Sequence, residues 1–410
     1  MVQEKTQEWQ IPTWAATLDF KKAFDTVSHL DLWKALKEQG VSQGYITVLR
    51  RLYNNQMATV STDKKSRAFQ IQRGTKQGDP LSSLLFNSLL EGVFRKLQPK
   101  WARRKCGIRV SFAGAHLTNL RFADDVILFG TSLKPVQRML REVRDESARV
   151  GLELHPDKTK ILHNQRHRRS RARPEYVSDP TMQVEILPFG AHQKYLSRKF
   201  TFQDQHTCEV DSRIAAGWRK FHALKCELTT RTHSLHGRIR LFHGTVTPTV
   251  LYGCTSWALT DELENRLRRA QRQMLRMILG SPRRRREPAD DERTRMDGDV
   301  DHVDSSLSCS SSAAGYDNTD MPDSDCYNTA DHLEPWVEWV ERATHKAQQL
   351  LERLNIEDWI TIQRRRKWRW ASQVASDRNK WTYRVLMWEP DLLLDQKEPG
   401  RKQARPKKTM

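Results

Sequence analysis

The chain has 410 residues, of which 37% are hydrophobic and 29% charged, enough for two or three domains but polar for a fully packed globular protein. No apolar run approaches the roughly 20 residues of a membrane span, and the opening MVQEKTQEWQ resembles neither a secretory signal nor a transit peptide; no membrane partner is expected, and an intracellular location, nucleus or cytoplasm, is. The net charge is +20, and because residues 287–334 hold 14 acids against two bases, the rest of the chain carries +32, a footprint suited to a polyanion such as nucleic acid.

In chain order, WAATLDF (14–20) reads as a short buried strand. DLWKALKEQG (31–40) follows as a helix with Leu32, Ala35 and Leu36 on one face and Gly40 as its stop. GYITVLRRLY (44–53) is a second helix, and MATVSTDKKSRAFQIQ (57–72) predicts two strands around a polar turn. A long helix should start at Pro80 with Asp79 as its N-cap, because apolar residues recur at 81, 84, 85, 89, 93 and 97, the stripe of a helix lying under a sheet. NLRFADDVILFG (119–130) alternates like a hairpin yet sets Asp124 beside Asp125 at its centre. Ser132 can cap a further helix carrying Val136, Met139, Leu140 and Val143, closed by Gly151. Strands and helices mix without strict βαβ alternation, which predicts an α+β fold, an antiparallel sheet with helices on one face.

From residue 211 to 280 the apolar spacing is helical throughout. Residues 281–334 are Ser/Asp-rich and acidic, the composition of a disordered linker. Helical patterning resumes at 335, and RRRKWRW (364–370) mixes bases with aromatics before a basic tail. The six cysteines (106, 208, 226, 254, 309 and 326) form no Cys-x-x-Cys pair, so ordinary thiols are expected rather than a zinc ribbon or a disulfide scaffold.

Asp124 and Asp125 raise a question of charge, since adjacent anions repel and burial penalises each of them. A tight turn, which Asp tolerates, is one answer. The other appears when Asp19, at the end of a buried-looking strand, and RGTKQGDPLS (73–82) are set beside them. Polymerases use two divalent cations to clamp an incoming triphosphate and a primer hydroxyl, and such hard cations need carboxylate oxygens on rigid neighbouring strands. LDFKKAFD, RGTKQGDPLS and FADD, in that order, resemble the successive palm motifs of reverse transcriptases, in the wording of non-LTR retrotransposons (long interspersed elements). VGLELHPDKTKIL (150–162), KYLSRKF (194–200) and the later helical segments continue the resemblance over most of the chain outside the acidic stretch.

The resemblance implies an incomplete right-hand polymerase: a palm with partial fingers over 11–200, a helical thumb and connection over 201–280, the linker over 281–334, and a basic helical C-terminal region over 335–410. It implies RNA-directed DNA synthesis with two Mg²⁺ ions, Mn²⁺ being able to substitute, held by Asp19, Asp124, Asp125 and the Phe20 carbonyl. RNA template, DNA primer and deoxynucleoside triphosphates are the implied partners. Phe24 would exclude a ribose 2′-hydroxyl, or is an ordinary core ring; Asp25 would be structural. Gln77 and Gly78 would lie against the template and the nascent base pair. Lys158 would approach the pyrophosphate leaving group, or is simply solvated. Arg166, Arg168 and Arg169, and Arg364, Arg365 and Arg366 with Trp368 and Trp370, are candidates for gripping phosphates and stacking on bases. The chain also departs from the family pattern: eighteen residues precede Asp19 where the family carries its fingers, neither an endonuclease domain nor a terminal zinc knuckle is visible, His155 stands for an asparagine, Ser83 for a proline and Ser197 for a glycine. Little activity is therefore expected of the chain as given, and a non-catalytic nucleic-acid-binding remnant of a retroelement is the alternative.

Overall fold

The computed structural model describes residues 2–76, 78–110, 115–165, 175–177, 183–284 and 333–387. The chain divides into two compact units, one of residues 1–216, 251–264 and 362–410, the other of 217–250 and 265–361.

The first unit opens with α1 (Val2–Glu8) and β1 (Trp14–Leu18), a strand buried at every position. Three helices follow: α2 (Ala23–Thr26), α3 (His29–Glu38), whose Ser28 hydroxyl accepts the Asp31 N–H, and α4 (Gln43–Tyr53). The two strands expected at 57–72 are two residues each, β2 (Met57–Ala58) and β3 (Phe69–Gln70). α5 (Pro80–Arg103) starts where expected, for the Asp79 carboxylate accepts the Leu81 N–H at 3.0 Å and Pro80, with no N–H to satisfy, fills the first helical position. β4 (Ile108–Arg109) pairs with β5 (His116–Leu117); then come β6 (Asn119–Phe122), β7 (Asp125–Gly130) and α6 (Leu133–Ala148). Ser132 does hold the cap position of α6, but its side chain makes no cap hydrogen bond. β8 (Lys160–His163), β9 (Glu175–Val177), β10 (Val184–Ile186) and the hairpin of β11 (His192–Tyr195) and β12 (Arg198–Thr201) complete the strands.

The main sheet has the order β6–β7–β1–β8–β10–β9. Its described pairs are antiparallel except β8 with β10, so the sheet is antiparallel-rich, as expected, with one parallel pair. Side chains alternate across it. Trp14, Ala16, Leu18, Val126 and Leu128 point to a large core shared with α3, α5 and α6, including Leu32, Phe86, Leu89, Val136 and Met139. Ala15, Ile127, Phe129 and Leu162 point to a smaller core with Ile108, Leu117 and Phe202. The helices therefore cover one face, as the apolar stripe of α5 requires. Truncating a fully buried side chain such as Phe86 costs about 3–5 kcal/mol, so this layer holds β1 firmly.

The later helices are α7 (Gln205–Ala223), α8 (Lys225–Thr229), α9 (Leu235–Val250), α10 (Asp261–Leu279), α11 (Trp336–Arg353), α12 (Trp359–Ser376) and α13 (Trp381–Leu386). Within the second unit, Trp359 is fully buried, stacks on Phe242, and donates its indole N–H to Thr247 Oγ1 at 2.9 Å. Arg238, also buried, donates to the Ile278 carbonyl at 2.6 Å. The expected acidic linker lies almost wholly in residues 285–332, outside the described residues. The residues flanking it meet: the Glu334 N–H donates to the Arg284 carbonyl at 2.9 Å, Arg283 Nε to the Glu334 carbonyl at 2.9 Å, and Trp339 Nε1 to the Ser281 carbonyl at 2.9 Å. Among the described residues no helix is long and apolar enough to cross a membrane.

Candidate active site

Asp19 directly follows β1, and the register that pairs Leu18 with Val126 carries Asp19 to the level of Asp125. Its backbone is fixed from the other side. The His155 N–H donates to the Asp19 carbonyl at 2.8 Å, the Lys21 N–H to the Glu153 carbonyl at 2.8 Å, and Phe20 bridges to Leu154. β6 and β7 are joined through Ala123 and Asp124 alone, with Phe122 paired to Asp125. Ala123 has φ +51° and Asp124 is not left-handed, the sign pattern of a II′ turn, whose twist suits a two-residue hairpin. The tight turn and the paired carboxylates are thus one feature. By the two-residue alternation of β7, Asp125 shares a face with Ile127 and Phe129, away from the helices.

Burial pushes the Asp125 carboxyl above its ordinary range, the charges of Asp124 and Asp19 push it further, and only Lys194 opposes them. The Asp125 carboxyl therefore feels the charges of both other aspartates. Tyr195, on β11, is pushed up to about 12 by burial and then by the Asp125 charge. It lines an apolar cavity of about 370 Å³ with Leu120, Ile127, Phe129 and Phe200. Lys158 Nζ lies 3.7 Å from Asp19 Oδ1, with 59% and 41% of the two side chains exposed, so the pair is well screened and weak.

Among the described residues no three His, Cys, Asp or Glu side chains are gathered into a metal cage. Mg²⁺ rarely has an all-protein cage: it usually takes one or two carboxylates and fills its octahedron with water and substrate phosphates. Asp125, with Asp19 level with it across the strand pair, offers hard carboxylate oxygens, the donor type that such an ion takes.

The loop before α5 docks on the turn after β1. The Thr75 N–H donates to the Phe24 carbonyl at 2.7 Å, the Gly74 N–H to the Val27 carbonyl at 2.8 Å, and His29 Nε2 bonds the Gly74 carbonyl at 2.7 Å. Gly74 has φ +89°, and a Cβ there would lie 2.7 Å from the Asp25 carbonyl oxygen, so both space and conformation require glycine. Gly78 has φ +88° but open space around it. Gln77 lies outside the described residues. The half-buried Phe24 ring packs on Phe86 with centroids 4.9 Å apart.

A polar cross-link unread in the sequence ties the hairpin to α5. Arg121 of β6 pairs with Glu91 at 2.8 Å, and its guanidinium lies 4.5 Å from the Phe94 ring centroid. Burial would push the Glu91 carboxyl up, but hydrogen bonds from Arg95 and Arg121 outweigh it and hold it below its ordinary range. An open cleft of about 1120 Å³ runs beside this link, lined by Leu84, Asn87, Glu91, Leu120, Phe122 and Ala123 among others.

Arg166, Arg168 and Arg169 lie outside the described residues. On α12, Arg364 pairs with the nearly buried Glu264 at 2.6 Å and Arg366 donates to the Leu251 carbonyl at 3.4 Å, while Arg365 is exposed. Trp368 is 78% exposed and Trp370 half-buried. The sequence carries no sign that Tyr195 and Lys194 of KYLSRKF neighbour Asp125; the packing of the β11–β12 hairpin beside the main sheet, where Tyr195 shares a cavity with Ile127 and Phe129, reveals that proximity.

Residues 2–201 match the family described as reverse transcriptase (RNA-dependent DNA polymerase). The chain is 35% identical over 144 residues to the retrovirus-related Pol polyprotein of a type-2 retrotransposable element of Drosophila melanogaster, covering 35% of this chain and 13% of that protein. It is 29% identical over 167 residues to a transposon-derived protein of Caenorhabditis elegans, covering 41% and 58%. To the Pol polyprotein of the R2 element of Nasonia vitripennis it is 31% identical over 148 residues, covering 36% and 14%. The chain thus spans between 13% and 58% of the length of these relatives. Apo telomerase from Candida tropicalis shares 12% identity at a TM-score of 0.34, over 68% of this chain and 43% of that one.

Proposed function

Since residues 2–201 are a reverse transcriptase domain of the non-LTR retrotransposon kind, we propose that this chain extends a DNA primer on an RNA template by two-metal phosphoryl transfer from deoxynucleoside triphosphates. One observation carries the reading: Asp19 stands level with Asp125 where β1 ends and the hairpin turns, and the charges of Asp124 and Asp19 add to burial in raising the Asp125 carboxyl, a load that a divalent cation would relieve.

In this reading Asp19, Asp124 and the Phe20 carbonyl hold Mg²⁺, with Mn²⁺ as the substitute and Asp125 beside them. When bound, the ions neutralise charge developing on the transferred phosphoryl group and lower the pKa of the primer hydroxyl. Phe24, braced by Phe86, stands against the sugar and refuses a ribose hydroxyl. Lys158, already drawn to an anionic oxygen of Asp19, turns to the pyrophosphate leaving group. Gly78 lies against the template and nascent base pair, where the open space around it leaves room for them. Residues 11–200 act as the palm with partial fingers, 201–280 as thumb and connection, and the C-terminal helices with Trp368 lie toward nucleic acid.

Primer extension on an RNA template with Mg²⁺ or Mn²⁺ tests this, with the parent chain beside its Asp124→Asn variant. Incorporation by the parent that falls about a hundredfold or more in the variant is expected, because charge stabilisation worth several kcal/mol is lost. Equal incorporation by both would sink the reading. The charge of +32 outside residues 287–334 favours a second reading, a nucleic-acid binder without catalysis. It predicts salt-sensitive binding of RNA and DNA by parent and variant alike, with no incorporation by either.

A further inference from the structure

β6 is the outer strand of its sheet, and none of its four residues is buried, Phe122 being 66% exposed. β7 is held by its own apolar burial, but β6 brings almost none, and a ribbon needs packing to be stable. Yet the turn these strands share carries Asp124 and Asp125, and a functional constellation must be held to within about 0.5 Å. Arg121 supplies a hold, two residues before the turn. Its register partner is Val126, which lies in the core shared with α5, so the Arg121 side chain leaves the sheet on that face. Its guanidinium reaches Glu91 at 2.8 Å and lies 4.5 Å from the centroid of the fully buried Phe94 ring. The receiving side is rigid. The other Glu91 oxygen accepts from Arg95 at 3.0 Å, Phe94 meets Trp101 edge to face at 5.8 Å, and Leu89, Leu90 and Val93 are buried around them. A guanidinium suits both contacts at once, its N–H fork on the carboxylate and its flat face on the ring.

We infer that Arg121 is a positioning residue: its clamp on Glu91 and Phe94 sets where the hairpin holds Asp124 and Asp125 relative to Asp19, and so how tightly these carboxylates bind a divalent cation. The inference rests on the reading of the aspartates as a metal site. Charge and position act here in opposite directions. A cation near carboxylates opposes a second cation, so losing Arg121 through charge alone would tighten metal binding. Losing it as a clamp loosens the ligand geometry and weakens metal binding.

The test is a titration of Mn²⁺ with the full chain, without nucleotide or nucleic acid, in which electron paramagnetic resonance counts the free ion. The binding that disappears in Asp124→Asn belongs to this site. Arg121→Met keeps the stem and removes the charge and the fork; Arg121→Lys keeps the charge and removes the fork and the flat face. Both should weaken Mn²⁺ binding about tenfold, a typical loss when a group that orients a metal ligand is removed. Arg121→Lys, the milder change, decides the matter should Arg121→Met fail to fold. In EDTA, amide hydrogen exchange over residues 119–127 should quicken in both variants while that of α6 stays as in the parent. If parent and Asp124→Asn bind Mn²⁺ alike, the metal reading fails and this role goes with it. If the Asp124-dependent site is present and the Arg121 variants match the parent's affinity, the role alone is overturned. Tighter binding by Arg121→Met, or weaker binding with hairpin exchange unchanged, would make the guanidinium a charge rather than a clamp and overturn it too.

Discussion

Leu196 and Ser197, the two residues of the β11–β12 turn, have φ +49° and +59°. Left-handed conformation at both centres is the I′ turn, which favours glycine or asparagine. Ser197, one of the positions where the sequence departs from the reverse transcriptase pattern, therefore sits in a strained conformation, held by Arg213, which donates to its carbonyl. Ser197→Gly is expected to stabilise the fold by about 0.5–1 kcal/mol in urea unfolding. Asp125 carries strain of a different kind. Its folded pKa is raised above the ordinary 3.8, so the folded state holds this proton more tightly than the unfolded chain does. The stabilisation this gives is full below about pH 3.8 and is lost as pH rises through the folded pKa. Asp125→Asn should consequently raise the Tm in metal-free buffer at pH 7, and the gain should vanish in scans near pH 3. The acids themselves were legible, because two carboxylates inside an apolar strand pattern contradict packing. That the Asp125 charge reaches Tyr195 was not, since residues 70 apart in sequence, on strands that do not pair, meet only through tertiary packing.

At the scale of elements, local chemistry was the legible part. Asp79 and Pro80 fixed the start of α5 because capping is decided within three residues. The parallel pairing of β8 with β10 was not legible, since strand direction depends on contacts no window contains. The two glycines flanking the α5 loop separate shape from space. Gly74→Ala adds a methyl against the Asp25 carbonyl as well as a left-handed conformation, and should cost about 2–3 kcal/mol. Gly78→Ala meets open space and should cost about 1 kcal/mol through conformation alone. Urea denaturation of the two variants, read by far-UV circular dichroism, distinguishes these values. Reversed magnitudes would mean that the loop does not dock on the turn after β1.

For the whole molecule, composition announced the excess of positive charge and the acidic stretch that interrupts it, because net charge needs no fold to be counted. The interleaving of the two units was hidden: residues 251–264 and those from 362 onward return to the first after the second has begun. The backbone hydrogen bond between Glu334 and Arg284 closes the chain around residues 285–332. Replacing those residues by a short Gly-Ser connection should leave helical content unchanged and shift the Tm by no more than about 2 °C; a cooperative loss of helicity would show that the flanking contacts depend on them. That outcome would make the seam at 284 and 334 a site of length tolerance. A gene carrying this fold can gain or shed codons there while α10 and α11 stay in register, and a fluorescent or affinity domain whose own termini lie side by side could be spliced in at the same address.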